Sequence, residues 1–290
     1  MQSFEYFEAK SLKEVVQTLA SGEEVRVLAG GCGILLLMKQ NLYFPRALVN
    51  IKKIPKLNTI QQDNGAVRIG TLATHNGVKD TRLVQEKLPL LSEALGYVAT
   101  NRIRNMATFG GTLAHADPTS DAAPALLALE AKVVVMGSQG ERKIELAAFF
   151  KDYFETVLEP AEVIKEIIVP IPPATAAGVY TRFQVRKAMD KAMPGVAALI
   201  ELEEDKKTIR SARIGLSGVG NRCLRLEEAE QFLVGKEDHR DIRQKIGDII
   251  KATIEPVEEY HYTLDYKKQI AAVFLQRVFA EAYLKASNSS

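Results

Sequence analysis

Residues 107–130 read ATFGGTLAHADPTSDAAPALLALE, a glycine-containing turn followed by an apolar helix. Gly110 and Gly111 lie among hydroxyl and small side chains, and glycine lets a backbone approach a ligand without an intervening Cβ. The Ala/Leu-rich second half predicts a helix that Ser120 or Asp121 can cap. Consecutive peptide N–H groups in such a turn bind anions, so the stretch predicts a phosphate site. A buried tight turn feeding a core helix is the alternative.

A second glycine-rich stretch lies earlier in the chain. Residues 27–35 read VLAGGCGIL, between a predicted strand at 25–28 and a predicted helix at 34–38. Neither stretch fits the P-loop pattern G-x-x-x-x-G-K-[ST], and neither fits G-x-G-x-x-G between a strand and a helix. Two Gly-Gly stretches therefore predict two amide cradles that converge on one diphosphate, the group at the middle of a dinucleotide. We call them the first glycine loop (residues 29–33) and the second glycine segment (residues 108–112).

The composition favours a cytoplasmic protein with a substantial core. The chain has 290 residues, of which 47% are hydrophobic, and this length suggests two domains. A formal net charge of +2 gives no reason to expect nucleic acid or an anionic membrane as a partner. Cys32 and Cys223 are too few to hold an iron–sulfur cluster by themselves. The sequence predicts neither a signal peptide nor a transmembrane helix.

The two motifs, in this order, resemble those of a known family. The resemblance is to the FAD-binding, or medium, subunit of the molybdenum hydroxylases, which include the xanthine dehydrogenases and the aerobic-type carbon monoxide dehydrogenases. It covers nearly the whole chain, and the paired motifs are specific where either alone is weak. The residues that carry it are Ala29-Gly30-Gly31 followed by Ile34-Leu35, then Ala107-Thr108-Phe109-Gly110-Gly111-Thr112-Leu113, then Asp117-Pro118-x-Ser120-Asp121.

The resemblance implies an α+β fold in two parts. The first is a two-subdomain FAD-binding domain of the vanillyl-alcohol-oxidase/PCMH type, predicted over residues 1–173 with subdomains at about 1–56 and 57–173. The second is an α+β C-terminal domain of the carbon monoxide dehydrogenase flavoprotein type, over residues 174–290, with an antiparallel sheet and helices on one face. The prolines within residues 170–173 mark the boundary, because proline stops regular structure.

The resemblance also implies FAD as the cofactor and a set of residues around it. Thr108 and Thr112 would donate hydroxyls to phosphate. Asp121 would accept from the adenosine ribose, with simple helix capping as its alternative. Arg182 would face the isoalloxazine, where a cation favours reduction, with residues 186–187 as competitors for that role and a solvated charge as the alternative. No catalytic residue or metal ligand is predicted, and the predicted cofactor contacts are Leu28, Ala29, Gly30, Gly31, Cys32, Gly33, Ile34, Thr108, Gly110, Gly111, Thr112, His115, Asp121, Ile164 and Arg182.

Four residues in or near the motifs have separate expectations. Cys32 stands where the family commonly has threonine and Gly33 where an acidic residue is frequent, so their backbone is expected to matter more than their side chains. A helix N-terminus can lower a thiol pKa, which leaves a reactive Cys32 as an alternative. His75 has no companion at metal-ligand spacing and is predicted to lie at the surface or cap a helix, with cofactor contact as the alternative. Arg104 is predicted to brace the second glycine segment through backbone carbonyls.

The resemblance implies an oxidoreductase, the FAD-carrying electron-transfer subunit of a multi-subunit molybdenum hydroxylase. Its partners would be a large molybdenum-binding subunit, a small [2Fe–2S] subunit and an external electron acceptor. The molybdenum cofactor and the [2Fe–2S] clusters would lie only in those partner subunits. Two alternatives stay open: a free-standing flavin reductase or oxidase of the same FAD fold, and a scaffold that has lost its flavin. The sequence determines neither the substrate nor the acceptor.

Overall fold

Three main sheets follow one another along the chain, each covered by helices. The computed structural model describes residues 2–22, 24–186, 191–258 and 262–288. Within those residues no helix combines the length and the apolar character needed to cross a membrane.

The N-terminal unit is a three-stranded parallel sheet. Its elements are β1 (Glu5–Glu8), α1 (Leu12–Ala20), β2 (Val25–Leu28), α2 (Ile34–Lys39) and β3 (Ala47–Asn50). The strand order is β1-β3-β2, so the wholly buried β3 is central, as expected where a parallel sheet is covered on both faces. The first glycine loop leaves the carboxyl end of β2, the edge at which open parallel sheets bind ligands.

The second unit contains a five-stranded antiparallel sheet. Its strands, with a small separate hairpin, are β4 (Ile60–Asp63), β5 (Ala66–Gly70), β6 (Lys132–Gly137), β7 (Gly140–Glu145), β8 (Phe150–Asp152), β9 (Glu155–Thr156) and β10 (Val163–Pro170). The order in the large sheet is β4-β5-β10-β6-β7, and β8 pairs only with β9. Asn64-Gly65, a residue pair typical of two-residue hairpin turns, joins β4 to β5, and both residues have positive φ.

Six short helices belong to this unit. They are α3 (His75–Lys79), α4 (Arg82–Lys87), α5 (Pro89–Tyr97), α6 (Asn101–Arg104), α7 (Phe109–His115) and α8 (Ala122–Ala128). Of these, α7 contacts β5 and β10 of the sheet. The second glycine segment, predicted as a turn, thus forms the start of α7. Every residue of α8 is buried, because this helix lies between the second unit and the C-terminal sheet.

The C-terminal unit is an antiparallel sheet with two differently covered faces. It comprises β11 (Ala176–Arg182), β12 (Gly195–Leu202), β13 (Ile209–Ser217), β14 (Leu224–Arg225), α9 (Glu227–Leu233), α10 (Arg240–Thr253) and α11 (Leu264–Ser287), with strand order β11-β12-β13-β14. Val179 and Val196 join the core beneath α9–α11, whereas the alternate residues Tyr180 and Ala197 join the core of the second unit. The sheet's own helices therefore lie on one face, as predicted, and the second unit covers the other.

The backbone of β13 lies close to α8 at Gly215. A Cβ built on Gly215 would lie 2.1 Å from the Pro124 carbonyl oxygen of α8, so only glycine fits. The small residue lets the helix lie directly on the strand and closes the seam between the domains.

This contact predicts a stability difference between two glycine variants. We expect Gly215→Ala to lower the free energy of unfolding by about 1–3 kcal/mol, because the added methyl group forces the seam apart. Gly96→Ala in α5 is the control: its Cβ would meet nothing within 4 Å, and alanine favours a helix by up to about 1 kcal/mol. Urea unfolding of both variants measures the difference, and equal stabilities would refute the close approach.

Candidate functional site

The first glycine loop lies against residues on either side of the second glycine segment. A Cβ built on Gly30 would lie 2.2 Å from the Met106 carbonyl oxygen and 3.1 Å from the Ala107 Cα. A Cβ on Gly33 would lie 3.4 Å from the His115 ring. The two stretches therefore lie close together, as predicted. The space beside Gly30 is filled by the Met106 backbone, so the lack of a side chain there serves a contact within the protein.

The first glycine loop presents a row of backbone donors. Among the described residues, the N–H groups of residues 30–34 have no hydrogen-bond acceptor. Gly31 has φ +81°, a left-handed conformation that favours glycine and turns the chain between β2 and α2. Successive free amides in such a turn form a cradle for an anion. The loop thus fits the diphosphate of a dinucleotide without needing a basic side chain.

The second glycine segment uses its amides differently, and the prediction of a second amide cradle there is wrong. The segment begins α7, and the first turn of this helix is bonded to the chain that follows β5. The N–H groups of Gly110 and Gly111 are therefore not available to phosphate. The four bonds run from Phe109 to the Ala73 carbonyl (2.8 Å), from Gly110 to the Thr71 carbonyl (3.0 Å), from Gly111 to the Thr108 hydroxyl (3.3 Å) and from Thr112 to the Thr108 carbonyl (2.9 Å).

The paired glycines make room for hydroxyl side chains of the protein. A Cβ on Gly110 would lie 1.8 Å from the Thr71 hydroxyl oxygen, and one on Gly111 would lie 2.7 Å from the Thr108 hydroxyl oxygen. Both glycines are thus explained by internal packing. The hydroxyl hydrogens of Thr108 and Thr112 remain donors that a ligand could use, and cofactor contact by these four residues stays a prediction.

His75 is a buried residue of this site, so its predicted place at the surface or a cap is wrong. Its side chain is 0% exposed and lies edge-on to Phe109, with ring centroids 5.9 Å apart. Its Nε2 is 2.6 Å from the Thr112 hydroxyl oxygen, while its Nδ1 has no partner among the described residues. Burial, with a smaller effect from the Arg104 charge, lowers the pKa of His75 to about 4. His75 is therefore neutral near pH 7.

Arg104 braces the turn that leads into the second glycine segment, as predicted. Its Nη1 donates to the carbonyl oxygens of Val98 (2.6 Å) and Ala99 (3.3 Å), and its Nε donates to the Asn76 amide oxygen (3.1 Å). These bonds hold residues 98–105 in place before the chain enters α7.

Asp121 and Arg182 form an ion pair between the two domains. The Arg182 Nη1 donates to both carboxylate oxygens, at 3.0 and 2.8 Å, and the Tyr180 hydroxyl donates to Oδ1 at 2.7 Å. The side chains of the pair are only 7% and 9% exposed, and Arg182 also lies over the Tyr97 ring. Burial raises the pKa of Asp121, while its hydrogen bonds with Tyr180 and Arg182 oppose that rise.

These contacts bear on the roles expected of Asp121 and Arg182. Asp121 stands at the N-cap position of α8, but its side chain makes no cap bond. Its predicted contact with a ribose, and that of Arg182 with an isoalloxazine, stay predictions. Sequence reasoning missed Tyr180, although Tyr180 and Arg182 are two apart on one strand and therefore share a face. Lys187, a competitor for the Arg182 role, lies outside the described residues.

Several other predicted contacts are apolar core residues. Leu28 and Ile34 pack with Met38, and Ile164 is 3% exposed in the core of the five-stranded sheet. Ala29 packs against the core of the N-terminal unit. The side chains of these residues serve packing, so any contact with a cofactor would be made by their backbone or edges. Their place at the site stays a prediction.

Cys32 and His115 lie where the two glycine stretches meet. Burial raises the pKa of the Cys32 thiol, which argues against the reactive-cysteine alternative. The His115 ring lies 5.1 Å from the Phe154 ring, and burial lowers its pKa against an opposing effect of Asp117. Asp117 itself accepts from the Thr119 N–H at 2.9 Å and so holds the turn before α8.

Two family models match the chain in succession. Residues 2–172 match the FAD binding domain in molybdopterin dehydrogenase, and residues 179–282 match the CO dehydrogenase flavoprotein C-terminal domain. The first match alone covers more than half of the chain.

Relatives and solved structures match over nearly their full length. The carbon monoxide dehydrogenase medium chain of Hydrogenophaga pseudoflava is 33% identical over 98% of both chains. The 6-hydroxypseudooxynicotine dehydrogenase complex subunit alpha of Paenarthrobacter nicotinovorans is 32% identical, over 98% of this chain and 96% of that protein. Among solved structures, carbon monoxide dehydrogenase from Hydrogenophaga pseudoflava aligns over 98% of both chains with a TM-score of 0.94 at 33% identity. Quinoline 2-oxidoreductase from Pseudomonas putida 86 aligns over 99% of both chains with a TM-score of 0.92 at 30% identity.

The buried neutral imidazole of His75 predicts a pH-dependent stability. Between pH 6.5 and about 4 the unfolded chain binds a proton at His75 that the folded chain does not. We therefore expect the free energy of unfolding to fall by up to about 3 kcal/mol as the pH drops through this window.

Urea unfolding of wild type and His75→Gln across this window measures the effect. In the variant, the free energy of unfolding should lose the part of its pH dependence that comes from His75. It should keep the part that comes from His115, whose pKa is also lowered. Equal slopes would mean that His75 is protonated in the folded protein.

Proposed function

The chain belongs to the FAD-binding subunits of the molybdenum hydroxylases, and we propose that it carries electrons from the [2Fe–2S] clusters of a partner subunit to an external acceptor. It is an oxidoreductase flavoprotein subunit with FAD as its cofactor. The observation that carries the proposal is the row of free amides at residues 30–34, packed against the second glycine segment. FAD, when bound, can take up electrons singly and release them as a pair.

The residues of the first glycine loop would hold the diphosphate of the cofactor. Neutral N–H groups fixed in one turn stabilise an anion without reorganising, as in other backbone anion sites. The Thr108 and Thr112 hydroxyls would add donors from the second glycine segment, which is itself fixed by bonds to residues 71–73. The two stretches therefore have different roles: the first glycine loop has free amides that can bind an anion, and the second glycine segment packs beside it as a fixed support.

The resemblance assigns Asp121 to the adenosine ribose and Arg182 to the isoalloxazine. Because the two side chains are in direct contact, at 2.8 Å, only one end of an extended FAD can lie at the pair, so the two assignments are alternatives. Because Arg182 is paired with Asp121, its charge is partly neutralised, and its influence on a flavin would depend on that pairing. Nη1 of Arg182 donates to both carboxylate oxygens while its Nε donates to the Gln184 amide oxygen, so these bonds would fix the position of both charged groups.

A large molybdenum-binding subunit and a small [2Fe–2S] subunit are the proposed partners. The matched relatives include medium chains of dehydrogenase complexes, and this chain spans nearly their whole length. The free-standing flavin reductase or oxidase is the second candidate, but full-length similarity to medium chains favours the subunit. The substrate would bind to another subunit, and the external acceptor is not assigned. The cytoplasmic location expected from the sequence stays a prediction.

The amide cradle predicts that Gly31→Ala weakens FAD binding. Alanine at φ +81° is strained by about 1–2 kcal/mol, and relief of that strain turns the amides away from the diphosphate. We expect a roughly tenfold higher dissociation constant for FAD, measured by fluorescence titration of apoprotein.

Gly65→Ala is the matched control for this variant. Gly65 also has positive φ, +75°, but lies in the β4–β5 hairpin, where a Cβ meets nothing within 4 Å. This variant should have the same backbone strain, without the contact that a Cβ on Gly31 would make with Leu35 at 2.9 Å, and should bind FAD as tightly as wild type. If both variants bind FAD equally well, the first glycine loop is not the diphosphate site.

The proposed role also predicts the composition of the native complex. Gel filtration from the native source should show three co-eluting polypeptides, with FAD, iron and molybdenum in the same peak. Selective removal of FAD should stop electron transfer to an external acceptor while the iron–sulfur clusters stay reducible. Elution of this chain alone, with FAD bound and an activity of its own, would support the free-standing flavoenzyme instead.

A further inference from the structure

We propose that His75 is a positioning residue for the cofactor, whose imidazole fixes the Thr112 hydroxyl as a donor towards the FAD diphosphate. This inference rests on the proposed function and deepens it by adding a residue that does not itself reach the ligand. It starts from a fully buried imidazole whose only described side-chain hydrogen bond, at 2.6 Å, is to the Thr112 hydroxyl oxygen.

The unpartnered Nδ1 selects the tautomer of His75. A neutral imidazole has one N–H donor and one acceptor nitrogen. If Nδ1 carried the hydrogen, it would be a buried donor without an acceptor, which is rare in proteins because its desolvation is costly. The hydrogen therefore lies on Nε2, and the ring donates to the Thr112 oxygen.

The direction of this bond decides what Thr112 can do. When its oxygen accepts from Nε2–H, its own hydrogen is free and must point away from the imidazole. Thr112 is half-buried on α7, three residues before His115 and so on the same side of the helix, and the His115 ring lies 3.4 Å from a Cβ built on Gly33 of the first glycine loop. A phosphate held by that loop can therefore meet this hydrogen. With the opposite tautomer the hydroxyl would donate into the core and could only accept from a ligand, which a phosphate cannot satisfy.

Backbone and ring contacts around His75 hold its imidazole in place relative to Thr112. Its own N–H donates to the Ala107 carbonyl at 3.2 Å, and the preceding Thr74 forms a β-bridge with Thr108. Phe109 packs edge-on against the ring. One short segment thus ties α3 to the start of α7 through both backbone and side chain. Packing alone would be met by an apolar ring, so the imidazole has a polar role.

FAD dissociation constants of four single variants test the proposal. Thr112→Val removes the hydroxyl at nearly constant volume and should raise the constant by about tenfold to a hundredfold, the effect of a bond to a charged group. His75→Phe should raise it by several-fold, because the hydroxyl loses its fixed direction. His75→Gln can place an N–H where Nε2 lies and should restore binding, whereas the shorter His75→Asn should not.

The double variant His75→Phe/Thr112→Val separates positioning from packing. If His75 acts through Thr112, the double variant should bind FAD no more weakly than Thr112→Val alone. Additive effects would mean that His75 only supports the fold, and that result would overturn the proposal. Unchanged binding in Thr112→Val would overturn it as well.

A measurement on the wild-type protein covers the case in which a variant does not fold. Nitrogen-15 NMR at neutral pH should show the Nε2–H tautomer of His75, and the phosphorus-31 signals of bound FAD should shift in Thr112→Val. An Nδ1–H tautomer would refute the inference while leaving FAD binding intact. A wild-type chain that binds no FAD would instead refute the proposed function, and the inference with it.

Discussion

A backbone N–H that donates within the protein is not available to a ligand, and this constraint assigns different tasks to the two glycine stretches. In the second glycine segment, the amides of residues 109–112 donate to Thr71, Ala73 and Thr108. In the first glycine loop, the amides of residues 30–34 have no acceptor among the described residues. The second glycine segment therefore has a structural role, whereas the first glycine loop can bind an anion. The close contact of Gly30 with Met106 keeps the two together.

Buried polar side chains elsewhere in the site are also bonded within the protein. Asp121 is held by Tyr180 and Arg182 across the domain seam, and an unpaired partner there would be a costly buried charge. The seam also brings the Gly215 backbone against α8. A cofactor site built from both domains needs such a fixed relation, since small displacements weaken contacts made by rigid groups.

Local sequence signals agree with the structure at caps and tight turns. Ser11 caps α1, Asn64-Gly65 forms a hairpin turn, and Thr263 caps the long α11. These succeed because caps and tight turns depend on neighbouring residues. The signals failed where tertiary contacts override propensity. Gly110 and Gly111 disfavour a helix, yet bonds to residues 71–73 place them in α7. The helix α9 begins only after β14, because Leu224 and Arg225 pair with Leu216 and Gly215 of β13.

The amino-acid sequence alone determined the family, the α+β class, FAD as cofactor and the two glycine stretches that meet, since these follow from motif order and local pattern. Only the tertiary structure decided which amides are free, that His75 is buried beneath Thr112, and that Asp121 pairs with Arg182. The reason is physical: a donor's availability and a side chain's burial depend on partners far away in the chain, which no local pattern encodes.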